Sequence, residues 1–187
     1  MKSPPRTLLL VLALLLLPFA TAAGLYALGW HPQQPANQGE LLAPPRALPA
    51  LSGIDGQALP PSAFAGQWHI VVAGSGPCDA ACTQWLTHTR QVHVALYQQM
   101  PRVHRAWLSA PPGLASRFAP LQRMQPDLRA FVATDAAARQ AFDLDQAGYR
   151  VFVIDPMGQI ILRYPPDADP RGLLKDMERL LRYAWAG

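Results

Sequence analysis

Apolar positions along this chain fall into three regimes. From Thr7 to Trp30 (TLLLVLALLLLPFATAAGLYALGW) they form 24 residues with no charge. At about 1.5 Å of rise per residue, such a run can cross a hydrocarbon layer of about 30 Å. Residues 7–30 are therefore expected to be a transmembrane anchor. Pro18 is tolerable in a membrane helix, and Tyr26 and Trp30 suit its far interface. Lys2 and Arg6 precede the run, so 1–6 should stay in the cytoplasm and the remainder be exported. The rival reading is a cleaved signal peptide ending at Ala20-Thr21-Ala22, although the apolar run continues to Leu28. The expected location is the inner membrane, single-pass, with the following domain in the periplasm.

The second regime, His31 to Gly66, has little periodicity and seven prolines, at 32, 35, 44, 45, 49, 60 and 61. Such proline density gives an extended spacer, so 31–47 is read as a linker and 48–187 as the domain. Within it, Leu48–Leu51 and Ile54–Gln57 suggest a short hairpin around the Asp55-Gly56 turn.

The third regime alternates short apolar runs with helical spacings. Strands are expected at Trp68–Ala73, Val103–Leu108, Leu128–Ala133, Val151–Ile154 and Gln159–Tyr164. Helices are expected at Cys78–Gln98, Leu114–Met124, Asp135–Phe142 and from Asp169-Pro170 onward, where Leu173, Leu174, Met177, Leu180 and Leu181 make one stripe. This order predicts an α/β domain with a central mixed sheet and helices on both faces.

Composition sharpens the picture in three places. Half of the 187 residues are hydrophobic and only 15% charged, an average inflated by the anchor. The formal net charge of +4 comes from 16 basic residues, all Arg except Lys2 and Lys175, scattered without a run. They read as solvated surface, and no basic-aromatic stretch suggests nucleic-acid binding. Two cysteines cannot build a disulfide scaffold or a four-cysteine zinc site.

Those two are the best candidate chemistry. Cys78-Asp-Ala-Ala-Cys82 stands where a strand, through Gly74-Ser-Gly-Pro77, enters a helix. A helix N-terminus stabilises thiolate, the form that attacks disulfides and binds soft metals such as Cu(I). Residues four apart on a helix share a face, with Cβ atoms about 5 to 6 Å apart. A disulfide wants about 3.8 Å, so a bridge calls for a distorted first turn. Asp79 opposes a thiolate beside it, or else caps the helix. Cys78 and Cys82 thus have three readings: a catalytic thiol-disulfide pair, a Cu(I) dithiolate, or a structural staple.

No other residue presents a rival site. His88 and His93 lie about 9 and 16 Å beyond Cys82 along the helix, too far to share one ion. His69 and His104 sit on the first two strands, and each reads as an ordinary packed or surface histidine. Asp143 and Asp145 read as surface acids.

The chain resembles the Sco/SenC family on Trp68–Ala73, Cys78-x-x-x-Cys82, Val151-Phe-Val-Ile-Asp-Pro-x-Gly158 and a closing helix. A narrower likeness, on Asn37-Gln-Gly-Glu-Leu-Leu42, Arg90-Gln-Val92, Arg163-Tyr-Pro165 and Leu173-Leu-Lys-Asp176, is to a bacterial transmembrane branch associated with cytochrome oxidase assembly. The resemblance implies a thioredoxin-like fold, a membrane anchor, and a role with cytochrome c oxidase or its assembly factors. It implies thiol exchange or copper delivery through Cys78 and Cys82. A non-catalytic assembly module with a structural disulfide is the alternative. Two family features are missing: the third copper ligand, a His expected near Ala147, and the proline that thioredoxin-like oxidoreductases carry before the late strand, where Tyr149-Arg150 stands.

Overall fold

The computed structural model describes residues 6–29, 37–76, 78–110 and 114–183. The chain divides into two units, 1–36 and 37–187. In the first, helix α1 (Arg6–Ala27) is long and apolar enough to cross a membrane. Its described apolar side chains, such as Leu14 and Phe19, are exposed. Thr21 Oγ1 donates to the carbonyls of Leu17 and Pro18, which keeps its hydroxyl satisfied without water. Trp30 lies outside the described residues.

The second unit is built on one eight-stranded sheet. Its strands are β1 (Glu40–Ala47), β2 (Leu51–Gly53), β3 (Ala58–Leu59), β4 (Trp68–Gly74), β5 (Val103–Ser109), β6 (Leu128–Val132), β7 (Arg150–Ile154) and β8 (Gln159–Tyr164). They lie in the order β1-β8-β7-β4-β5-β6-β2-β3. β4, β5 and β6 run parallel, whereas β7 is antiparallel to β4 and β8 to β7. The sheet is mixed, as expected, and all seven residues of β4 are buried.

The period of two explains the burial. Ile70, Val72, Val103 and Trp107 face a cluster with α2 (Ala80–Ala95), α3 (Leu114–Met124) and α5 (Pro170–Tyr183). Val71, Ala73, Ala106 and Leu108 face the other way, toward Phe64, Leu42, Leu48 and α4 (Ala136–Ala141). Asp135 caps α4 by accepting from the Ala138 amide at 2.7 Å. The hairpin forms around Asp55-Gly56, with Leu51 opposite Leu59.

The linker reading fails at its C-terminal end. Residues 40–47 form β1, which pairs antiparallel with β8. The pairing register shifts between Leu41 and Arg46, around Pro44 and Pro45, which have no N–H to give. An edge position tolerates this, which is why proline density misled the reading.

Some arginines also depart from the solvated surface expected of them. The Arg105 side chain on β5 is fully buried. Asp143 is held between Arg46, at 2.8 Å, and Arg163, which hydrogen bonds draw above the ordinary guanidinium range. Arg163 also grips Glu40, fastening β8 to β1. Hydrogen bonds from both arginines hold the Asp143 carboxyl below the ordinary range against the opposing effect of partial burial. Asp145 pairs with Arg139 at the surface.

Three distant motifs converge behind the sheet edge. Asp176 of α5 is 2% exposed. Its carboxylate accepts from the Gln38 amide at 2.8 and 3.0 Å, the Gly39 amide at 2.8 Å and the Tyr164 hydroxyl at 2.7 Å. Burial and the neighbouring carboxylate push the Tyr164 phenol far above its ordinary range. Gly39 has no side chain because the Tyr164 ring lies flat against it: a Cβ there would fall 2.5 Å from Cζ. The stretches containing Asn37-Gln-Gly, Arg163-Tyr-Pro and Leu173–Asp176 thus meet in one hydrogen-bonded knot.

Candidate functional site

The site lies at the C-terminal end of β4, where Gly74, Ser75 and Gly76 lead the chain out of the sheet. Gly76 takes φ +123°, a conformation that side chains other than glycine's rarely permit. Helix α2 then begins at Ala80, with Asp79 as its cap: Asp79 Oδ1 accepts from the Cys82 amide at 2.9 Å. The capping role weighed from sequence is therefore the one Asp79 takes.

The capping defines the cysteine geometry. Cys78 stands one residue ahead of the cap, outside the helix, while Cys82 lies in its first turn. The two form a disulfide with Cα atoms 5.0 Å apart. The sequence reading placed both cysteines on the helix and expected a distorted first turn. With Cys78 outside, an extended residue brings it back over Cys82, so the pair can close while Asp79 still caps α2. Cys82 is 0% exposed, whereas Cys78 is half-buried and borders solvent.

Two further side chains shape the turn, and the sequence reading assigned neither. Tyr149, just before β7, donates its hydroxyl to the Gly76 carbonyl at 3.0 Å. Its ring covers Gly74, where a Cβ would meet Tyr149 Cδ1 at 2.6 Å. Ser109, at the end of β5, places Oγ 3.4 Å from the same carbonyl. A tyrosine preceding a Val-Phe-Val-Ile strand carries no local signal of this contact, which only the pairing of β7 with β4 creates.

The histidines are not drawn to the cysteines. His69 lies five residues before Gly74 on β4, about 16 Å away along the strand. It packs against Phe64 and His104, with ring centroids 5.1 and 5.4 Å distant. His93, beyond the middle of α2, bonds the Val103 carbonyl through Nε2. His88 stacks edge-on to Trp85 at 6.0 Å. Both line a groove of about 200 Å³ between α2 and Pro166, Asp167 and Pro170. Trp85 Nε1 donates to the Pro166 carbonyl at 3.2 Å, closing the floor of that groove. Among the described residues, no three His, Cys, Asp or Glu side chains converge as metal ligands. Once the disulfide is reduced, the two cysteine sulfurs would offer two thiolate donors, the kind of ligand Cu(I) takes.

His69 gives the domain an acid sensitivity. Burial, then the neighbouring His104, lowers its pKa from an ordinary 6.5 to about 4. Burial and Arg129 lower that of His104 as well. Above pH 6.5 His69 is neutral in both folded and unfolded chains. As pH falls from 6.5 toward 4 the unfolded chain takes up a proton that the folded one refuses, so stability is lost over that window. The expected loss from His69 is about 3 kcal/mol between pH 7 and pH 4. Urea midpoints across that range should fall less steeply in His69→Phe; parallel curves for the two proteins would refute it.

The sequence profile described as the transmembrane-like, thioredoxin-like C-terminal domain matches residues 68–184. No curated protein matches the chain. Several solved structures share its fold. Apo Sco1 from Thermus thermophilus has 20% identity and a TM-score of 0.60, with 80% of this chain and 99% of that one aligned. Copper-bound yeast Sco1 has 15% identity and a TM-score of 0.58, covering 81% and 96%. BsSco, a member of the Sco family of cytochrome c oxidase assembly proteins in which a disulfide switch is identified, has 13% identity and a TM-score of 0.55, covering 82% and 99%. At these identities the likeness establishes the thioredoxin-like fold.

Proposed function

The chain belongs to the transmembrane-like, thioredoxin-like family. From that membership, and from its likeness to BsSco of the cytochrome c oxidase assembly proteins, we propose that it is a membrane-anchored thiol-disulfide exchange protein supporting cytochrome c oxidase assembly. The domain would face the periplasm, held by α1, and its partner would be an oxidase subunit or another assembly factor. The observation that carries this reading is the Cys78–Cys82 disulfide at the start of α2, with Cys78 half-buried and Cys82 fully buried.

That asymmetry suits division of labour. In the reduced protein, Cys78 would attack a partner disulfide as the thiolate, forming a mixed disulfide and releasing one partner thiolate. Cys82 would then attack Cys78 Sγ, expelling the second partner thiolate and restoring the disulfide. Two electrons pass from this chain to the partner, and an upstream dithiol must return them. Copper delivery through Cys78 and Cys82 is the related reading. Both thiolates would hold Cu(I) as a two-coordinate ion, and a donor from the recipient protein would join them during transfer.

Cys78→Ser/Cys82→Ser in the full chain tests the proposal against a merely structural staple. Oxidase activity in membranes should drop severalfold while the variant remains folded and membrane-bound. Full oxidase activity with only a lower denaturation midpoint would leave the cysteines as a staple.

A further inference from the structure

The turn before Cys78 is held at both ends by one side chain from another part of the fold. The Tyr149 ring lies on Gly74, and its hydroxyl bonds the carbonyl of Gly76, two residues ahead of Cys78. The positive φ of Gly76 is part of the backbone path that presents this carbonyl to Tyr149. Ser109 Oγ approaches the same oxygen more distantly, at 3.4 Å, a length it shares with the Ala110 carbonyl.

From this geometry we infer that Tyr149 is a positioning residue for the Cys78–Cys82 pair, acting through the Gly76 carbonyl. The inference rests on the thiol-exchange reading above. In the oxidised protein the S–S bond itself fixes Cys78. In the dithiol the turn takes over that task, beside the packing of Cys78 on the core and its contact with Thr83 Oγ1, and the Tyr149 contact helps to confine Cys78 Sγ near Cys82 Sγ. Confinement raises the effective concentration of one thiol at the other and favours closure of the disulfide. Without the contact the dithiol gains conformations, and the disulfide becomes easier to reduce.

The measured reaction is the reduction of Cys78–Cys82 by two glutathione thiols. Two electrons and two protons pass to the protein, giving two cysteine thiols and one glutathione disulfide. The full chain in detergent is equilibrated with glutathione buffers, and the thiols are trapped and counted by mass. Tyr149→Phe keeps the ring on Gly74 and removes the bond. Its equilibrium constant for reduction should rise about two- to tenfold, the factor an ordinary net hydrogen bond is worth. Gly76→Ala redirects the carbonyl through backbone strain alone, since a Cβ there meets nothing within 4 Å. It should shift the constant the same way, and the double variant should add little, because both act on one contact.

A lower thermal midpoint with an unchanged constant would reduce Tyr149 to a packing residue and overturn the inference, as would additive shifts in the double variant. If glutathione opens none of the disulfides, dithiothreitol replaces it and the ratio between proteins still decides. Full oxidase activity in the cysteine double variant, with the constants shifted as expected in the Tyr149 and Gly76 variants, would refute the proposed function and leave the positioning role intact.

Discussion

Asp176→Ala should lower the domain's stability by about 3 to 5 kcal/mol, the sum expected when several buried donors lose their acceptor at once. The carboxylate of Asp176 receives the amides of Gln38 and Gly39 and the hydroxyl of Tyr164. Alanine leaves the buried Gly39 amide and Tyr164 hydroxyl without an acceptor, with the part-buried Gln38 amide at the rim of the gap. The surroundings are tight: Gly39 is pressed against the Tyr164 ring and Gly172 against Gln38, where a Cβ would lie 2.8 Å from Gln38 Cβ. Asp176→Asn keeps the volume but turns an amine toward the donors, so about half of the loss should remain. Tyr164→Phe removes one donor together with its need and should cost about 1 kcal/mol. Urea denaturation of the three variants measures this ranking. An Asp176→Ala midpoint within error of the parent would mean that α5 and β1 hold the sheet without the knot.

Arg105→Ala should be comparably severe, at about 3 to 5 kcal/mol. The guanidinium donates to Asp127 at 2.7 Å, to the Leu86 carbonyl and Gln125 Oε1 at 2.6 Å, and to Thr89 Oγ1. These groups belong to β5, α2 and the segment between α3 and β6, so one side chain joins three parts of the fold. Burial works to lower the Arg105 pKa while Asp127 supports its charge. In turn Arg105 draws the Asp127 carboxyl below its ordinary range, against the opposing cost of its own partial burial. Arg105→Met separates volume from charge. Methionine restores volume but leaves the Asp127 carboxylate, the Leu86 carbonyl and Gln125 Oε1 without their donor, so most of the loss should remain. Equal loss in the alanine and methionine variants would locate the stability in the polar network. No loss in either would contradict the whole account of Arg105.

Both positions show where the sequence was readable and where it was not. β4, β7 and β8 announce themselves because their apolar runs are short, branched and bounded by turn residues, and α5 because its leucines keep one stripe. The cysteine pair is visible for a similar local reason: a Gly/Pro turn separates a strand from a helix. Arg105 has no such signal. An arginine among apolar neighbours on a strand looks like the solvent side of an alternation, and only α2 and Gln125 closing over it reveal otherwise. Asp176 sits beside the stripe of α5 and reads as its polar border until Gln38 and Tyr164 arrive from elsewhere in the chain. β1 is hidden by its prolines, which argue locally against a strand while the pairing with β8 overrides them. Tyr149 stands out in the sequence only for not being a proline. Its contact with Gly76 spans 73 residues of sequence, beyond any local pattern.

The two borders of the sheet have a consequence for life at a membrane. One is β1, interrupted by Pro44 and Pro45, and the other is β3, only two residues long. Neither offers a continuous ladder of free amides and carbonyls on which a foreign strand could grow. Domains crowded side by side, as the proposed anchor would hold them, are therefore protected from zipping into sheets that run from molecule to molecule. A client protein, likewise, gains little by lying along an edge as an added strand. A partner in the proposed exchange would instead meet the domain end-on, where the strands give way to loops and the half-buried Cys78 borders solvent.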